Sequence, residues 1–278
     1  MADSPPGNKT YKFKPMDKVY GFTTFSGLGN ARAVTVAAES ELALMPTNIS
    51  WEEAAAVPLS ALSAWQALFV HGGLTPPFIS GTESTNPNEG KRVLVTAASG
   101  GVGIWGVQLA HQAGATVVGT CGTSNVDFVK SLGADTVLDY TTTSLSDWMA
   151  EDRAARGFDV VLDCIGGESL IEAWKCVRRC GRVVSVAENP LHKRPAWGVS
   201  EEVVDKYFIV EANGEQLGEV TKLIEQGRCK AVVDSVFDLE EWKRAFEKSE
   251  SGHAKGKVVL KVNRGRGLED PEDDTDED

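Results

Sequence analysis

The sequence predicts an α/β protein organised around an open, doubly wound parallel sheet. Between residues 91 and 187, strand-like and helix-like segments alternate, the pattern that right-handed βαβ crossovers produce. Gly101-Val-Gly103-Ile-Trp-Gly106 falls between the first strand and the first helix of that series. Between Arg92 and Asp127 there is no Asp, Glu, Lys or Arg, as expected of strands buried on both faces. A membrane span needs a comparably long apolar run. This one, however, contains Gly100, Gly101, Gly103, Gly106 and Gly114, with Ser99 and Gln108, and changes from strand to turn to helix to strand. It is therefore assigned to the centre of the sheet.

The elements follow in order. Residues 1–50 predict loops and short strands. A helix over 51–70 starts at an N-cap Ser50, with Glu52 and Glu53 suited to its first turn. The Pro/Ser/Thr/Asn-rich stretch from Gly72 to Gly90 predicts a long polar surface loop. Lys91–Ala97 is a strand, and a helix from Val102 to Ala113 is stopped by Gly114. On that helix Gln108, His111 and Gln112 form a narrow solvent stripe. Ala115–Thr120 is the next strand, Val126–Leu132 a helix ended by Gly133, and Asp135–Tyr140 a strand. Ser146 is expected to cap a helix running to Ala155, ahead of the strand Phe158–Asp163. Leu170, Trp174 and Val177 predict an amphipathic helix over 168–180, and Gly181–Ala187 closes the series. Beyond it come a helix over 214–226, a strand near Ala231–Phe237, a helix with Leu239, Trp242 and Phe246 on one face, and the strand Gly256–Val262. Trp51, Trp65, Trp105, Trp174 and Trp242 at helical positions are expected in the core.

Composition narrows the function. The 278 residues are 42% hydrophobic and 24% charged, as in an ordinary globular protein. The net charge is −12, of which −8 lies between Leu268 and Asp278. Residues 264–278 are expected to form an acidic, disordered tail. No basic footprint suits a nucleic acid, and no membrane partner is expected. The N-terminus has no apolar signal core, its first arginine is Arg32, and five cysteines (121, 164, 176, 180, 229) form no spaced framework. These features predict a cytoplasmic protein with reduced thiols. Cys176 and Cys180 have no flanking zinc partner and are expected to pack beneath a helix, so no metal is assigned. His71 and His253 are expected in turns, His111 and His192 on the surface. Ser99 lacks the G-x-S-x-G setting of a nucleophile.

The glycine motif stands in the context that nucleotide binding requires, after a strand and opening a helix. Gly101 permits a tight turn, Gly103 lets backbone approach a pyrophosphate, and Gly106 lets helix and strand pack closely. The helix N-terminus adds N–H donors and a positive dipole end. An NAD site should carry an acid about 20 residues beyond the glycines; here Cys121 stands there, and the first acid is Asp127. That permits NADPH. Thr123, Ser124 and Asn125 can donate to a 2′-phosphate, and Tyr140 ends the next strand nearby.

Ala97-Ala-Ser-Gly-Gly-Val-Gly103, Lys130-Ser-Leu-Gly-Ala-Asp135, Asp163-Cys-Ile-Gly-Gly167 and Gly252-His-Ala-Lys-Gly-Lys-Val-Val-Leu260 resemble the medium-chain dehydrogenase/reductases. Within them they are similar to the zinc-independent quinone oxidoreductase (zeta-crystallin-like) branch and its trans-acting enoyl reductase relatives. Lys18-Val-Tyr-Gly-Phe22 and Ala54–Leu68 extend the likeness, which runs from Tyr11 to Val262. The resemblance implies a Rossmann domain over residues 64–228. It implies a partial GroES-like substrate domain over 1–63 and 229–263. Ser63 would lie by the cofactor, and Ser99, Gly100, Gly101, Val102 and Gly103 would cradle the pyrophosphate. Gly122, Thr123, Ser124 and Asn125 with Tyr140 would hold the 2′-phosphate, and Ile165 would face the cofactor. Some quinone reductases carry a basic residue where this chain has Val126.

The function expected is NADPH-dependent, zinc-independent reduction of a quinone or an α,β-unsaturated carbonyl, with no residue assigned as proton donor. The family's strands ahead of Lys18 are lacking, so the chain is expected to be N-terminally truncated, to bind NADPH, and to turn over weakly. The alternative is a cofactor-binding protein without turnover, a sensor or interaction partner. A short-chain dehydrogenase would need Tyr-x-x-x-Lys, which neither Tyr140 nor Tyr207 begins. The expected partner is a small conjugated carbonyl or quinone, and the architecture allows a homodimer.

Overall fold

The computed structural model describes residues 11–25, 29–77 and 86–262. The predicted acidic tail and part of the predicted 72–90 loop lie outside them. β1 (Val19–Gly21) pairs antiparallel with β2 (Leu42–Leu44). Ser50 then caps α1 (Trp51–Ala55): its hydroxyl accepts from the Glu53 amide while Glu53 accepts from the Ser50 amide. The single helix predicted over 51–70 is in fact three pieces. α1 ends ahead of Pro58, whose ring and missing N–H break a helix interior. α2 (Pro58–Trp65) restarts with that proline in its first turn, where it is tolerated, and Gln66–His71 continues as a π-helical segment.

The main sheet comprises β3 (Arg92–Val95), α3 (Gly103–Gln112), β4 (Thr116–Cys121), α4 (Val126–Ser131), β5 (Thr136–Asp139), α5 (Leu145–Glu151), α6 (Arg153–Arg156), β6 (Phe158–Asp163), α7 (Gly167–Trp174), β7 (Val177–Ser185) and β8 (Val204–Tyr207). Its six strands are parallel in the order β5-β4-β3-β6-β7-β8. Val93, Val95 and Val117 belong to the core on one face, and Leu94, Val118 and Val161 to the core on the other. Two-sided burial thus accounts for the charge-free stretch, and the predicted doubly wound sheet is the one found. Among the described residues, no helix is long and apolar enough to cross a membrane.

Four local expectations are corrected. Ser144, not Ser146, caps α5, accepting from the Asp147 amide; Ser146 bonds Glu172 instead, and Asp152 caps the separate α6. The helix expected to reach residue 180 ends at Trp174. Val177 already belongs to β7, where Cys180 at φ +60° accompanies a register shift against β6. Cys180 is therefore exposed, its Sγ 2.8 Å from Glu202, while Cys176 is buried at the end of α7. The predicted solvent stripe of α3 is partly a clamp. Gln108 is buried and exchanges two hydrogen bonds with the Lys230 backbone, and Gln112 donates to the Arg228 carbonyl at 3.0 Å. Lastly, Trp51 and Trp242 lie outside the core, at 55% and 48% exposure; Lys18 sits over the first ring and Phe246 contacts the second edge-on.

The clamp positions the remaining chain. α8 (Gly214–Glu225), capped by Asn213, buries Leu217, Val220, Leu223 and Ile224 in the core shared with α2 and α3. The segment gripped by Gln108 and Gln112 then enters β9 (Val233–Asp238), followed by α9 (Trp242–Glu250) and β10 (Lys257–Lys261). β9 and β10 pair in parallel. At the start of β10, Gly256 bridges to Gly100 and its amide donates to the Ser99 carbonyl at 3.2 Å. The C-terminal strand is thereby laid against the glycine turn.

Candidate functional site

The strand order reverses direction at β3, which has β4 on one side and β6 on the other. In such sheets the crevice beyond the carboxyl ends of the strands at this switch point takes the dinucleotide, one half over each side. The turn from β3 to α3 is built by Ala97 at φ +47°, whose carbonyl accepts from the Gly100 amide at 2.9 Å. α3 has Val102 at its N-cap and no side-chain cap; the Ile104 and Trp105 amides donate to the Gly100 and Val102 carbonyls, and the helix presents the positive end of its dipole at the turn.

Three groups converge on Gly101. A Cβ placed there would lie 2.9 Å from Lys257 Cδ and 3.3 Å from Ser60 Oγ. The Ser60 hydroxyl is buried and has no hydrogen-bond partner. Such groups are ordinarily satisfied, so it is available for a polar group of a ligand. Burial holds the Lys257 ammonium below the usual lysine range, and among the described residues it forms no ion pair. A half-buried cation, an orphaned hydroxyl and an uncapped helix N-terminus together suit a phosphate. Ser63 lies one helical turn from Ser60, buried, with its hydroxyl donating to the Leu59 carbonyl at 2.7 Å.

A second cluster surrounds the end of β4. Gly122 follows Cys121 in extended conformation, and Thr123–Asn125 form a 3-10 turn leading into α4, which has no side-chain cap. Tyr140, 66% exposed, reaches over Gly122: its Oη is 3.3 Å from where a Cβ would stand. Thr123 and Thr141 share a hydroxyl contact of 3.0 Å. Bonds from Thr123 and Thr141 hold Asp139 below the usual carboxylate range. Lys255 Nζ stands 4.0 Å from the Phe128 ring centre, one helical turn beyond Asn125.

The β6 side is organised differently. Ile165 is 61% exposed above the end of β6, and beneath it Asp163 is wholly buried in hydrogen bonds. The structure thus brings Ser99–Gly103 together with Ser60 and Lys257, and Gly122–Asn125 together with Tyr140. Ile165 stands separately, across the switch point. Ser60, Lys255, Lys257 and Asp163 were not singled out from sequence. The available signal was the segment Gly252-His-Ala-Lys-Gly-Lys257, whose two lysines flank the glycine that touches the turn.

Among the described residues, no three His, Cys, Asp or Glu side chains gather as a metal would require.

Comparison with known proteins gives concordant likenesses. Residues 132–260 match a family model described as zinc-binding dehydrogenase. A probable zinc-binding oxidoreductase, mitochondrial, of Arthroderma benhamiae is 49% identical over 260 residues, covering 93% of this chain and 76% of that protein. The chloroplast envelope quinone oxidoreductase homolog of Arabidopsis thaliana is 34% identical, covering 91% of this chain and 75% of the relative. Among solved structures, the quinone oxidoreductase from Coxiella burnetii superposes with a TM-score of 0.66 at 27% identity, over 80% of this chain and 64% of that one.

Proposed function

Since this chain belongs to the medium-chain dehydrogenase/reductases, in their quinone oxidoreductase branch, we propose that it is an NADPH-dependent, zinc-independent reductase of quinones or α,β-unsaturated carbonyls. That it is an oxidoreductase follows from its relatives; the cofactor choice and substrate class are the proposal. The observation that carries it is the unsatisfied polar cluster at the glycine turn. Among the described residues the Ser60 hydroxyl has no hydrogen-bond partner and the Lys257 ammonium no ion pair, beside an α3 N-terminus without a side-chain cap, and a diphosphate suits all three.

NADPH rather than NADH is supported by the residues around Gly122. No acid stands at the end of β4 to claim the ribose 2′-hydroxyl or repel a 2′-phosphate. Ser124 and Asn125 offer donors beside Thr123, whose hydroxyl is held by Asp139 and Thr141; Tyr140 covers Gly122, and Lys255 adds positive charge beside α4. When bound, the cofactor supplies a hydride from its nicotinamide C4. The chain contributes orientation, anchoring the phosphates on the β3 side and presenting Ile165 on the β6 side. Five free cysteines support a reducing, cytoplasmic setting.

Titrating NADPH and NADH into the purified protein tests the cofactor assignment. NADPH is expected to bind at least several-fold more tightly; equal affinities, or tighter NADH, reject it. Oxidation of bound NADPH on adding a quinone or an enone tests the reaction class. The metal assignment has a separate check. Elemental analysis is expected to find no stoichiometric zinc, and chelation should leave NADPH affinity unchanged. One zinc per chain, with binding lost on chelation, contradicts it.

A further inference from the structure

α3 and α7, the helices that follow β3 and β6, begin differently. α3 is uncapped, whereas the first amides around α7 are claimed by two carboxylates. Asp163 accepts from the Gly166 amide with both oxygens at 3.1 Å, and Glu188 accepts from the Gly167 amide at 2.5 Å. Asp163 also accepts from Thr96 Oγ1 at 2.9 Å, Ser185 Oγ at 2.7 Å and the Ile165 amide at 3.4 Å. Thr96 Oγ1 in turn accepts from the Cys164 amide at 2.9 Å, and Ser185 Oγ from the Ala187 and Glu188 amides. One fully buried carboxylate thus joins the carboxyl ends of β3, β6 and β7.

Gly166 shows how tightly the loop is drawn in. It sits at φ +75°, and a Cβ there would lie 2.6 Å from Glu188 Oε1. With the backbone of 164–167 drawn onto Asp163, the Ile165 side chain is left exposed beyond the end of β6. The charge pattern is also directional. The open α3 end attracts an anion, while the α7 end is already neutralised by carboxylates that would repel one. Of the two cofactor halves, only the uncharged reduced nicotinamide suits the β6 side.

We propose that Asp163 is a positioning residue for the nicotinamide half of the cofactor, holding residues 164–167 as the surface against which the ring rests. This rests on the cofactor reading above. The buried hydroxyls of Thr96 and Ser185 belong to the same device, because each binds the carboxylate and a loop amide together.

The test separates the two halves of the ligand. NADPH and adenosine 2′,5′-bisphosphate, which lacks the nicotinamide, are titrated into wild-type protein, Asp163→Asn, Thr96→Val and Thr96→Ser. Bound nicotinamide fluorescence is recorded, and folding is followed by circular dichroism. Thr96→Val preserves volume and the carboxylate, so it serves even where Asp163→Asn does not fold. Removing one buried charge-assisted bond is expected to weaken NADPH by about tenfold and to abolish the change in nicotinamide emission. Affinity for the bisphosphate should stay unchanged, and Thr96→Ser should match wild type. Parallel losses of NADPH and bisphosphate would show a merely structural role and overturn the proposal. Unaltered NADPH affinity and emission in Thr96→Val would overturn it as well. Failure of wild-type protein to bind either probe would instead overturn the cofactor reading, and this inference with it.

Discussion

Replacing Lys257 by methionine is expected to weaken NADPH binding by roughly 10- to 100-fold, the equivalent of the 1.5–3 kcal/mol that a hydrogen bond to a charged group contributes. Methionine keeps an unbranched apolar chain and removes the ammonium with its charge and donors. In the free protein that charge is half-buried and among the described residues makes no ion pair, so burial holds it below the usual lysine range. Its removal should leave the thermal midpoint of the free protein unchanged or higher. The stabilisation by added NADPH should shrink at the same time. The pH dependence has a definite sign. An anion beside the ammonium raises its pKa above the depressed free-state value. Affinity is therefore full below the free-state pKa and declines as pH rises through it, with proton uptake on binding. Lys257→Met should abolish that decline. Wild-type NADPH affinity in Lys257→Met would show that the ammonium does not reach the diphosphate.

The sheet was legible because two-sided burial writes itself into sequence as short apolar runs, as at Val93–Val95 and Val160–Leu162. Glycines and helix stops between those strands did the rest. What misled were segments where one periodicity imitates another. Val177 falls at helical spacing from Leu170 and Trp174, yet it is β-branched and opens β7. Ser144-Leu-Ser-Asp147 carries the capping signature that Ser146 lacks, and it is Ser144 that caps. Exposed Trp51 and Trp242 show that aromatic residues at helical positions need not be core. At the candidate site, the glycine turn and the Gly122–Asn125 loop are each contiguous in sequence and therefore legible as motifs. Ser60 and Lys257 come from the two flanks of the sheet domain, and only the Gly100–Gly256 bridge makes them neighbours. No spacing rule links residues that meet through a bridge.

Gly103 is a position of the glycine turn where substitution should be severely damaging. Its place in the glycine pattern assigns it the approach of the pyrophosphate. The structure shows a demand that comes earlier. A Cβ on Gly103 would stand 2.2 Å from the Ala97 carbonyl oxygen and 2.7 Å from Ala98 Cα, all backbone of the strand-to-helix turn. Backbone held by Ala98 N to Thr120 O and Gly100 N to Ala97 O cannot withdraw. α3 would have to lift from the sheet, although Gly106 lies close on Leu162 and Val95. Gly103→Ala is accordingly expected to cost about 3 kcal/mol or more, the upper range for overpacking, seen as a lowered urea midpoint without any ligand. Gly101→Ala is the informative contrast, since its new methyl meets side-chain atoms, Lys257 Cδ and Ser60 Oγ. It should keep the urea midpoint near wild type while weakening NADPH, because the methyl occupies the space between those two groups. A folded Gly103→Ala protein of wild-type stability would show that α3 tolerates a side chain there. In that case its glycine would belong to the ligand alone.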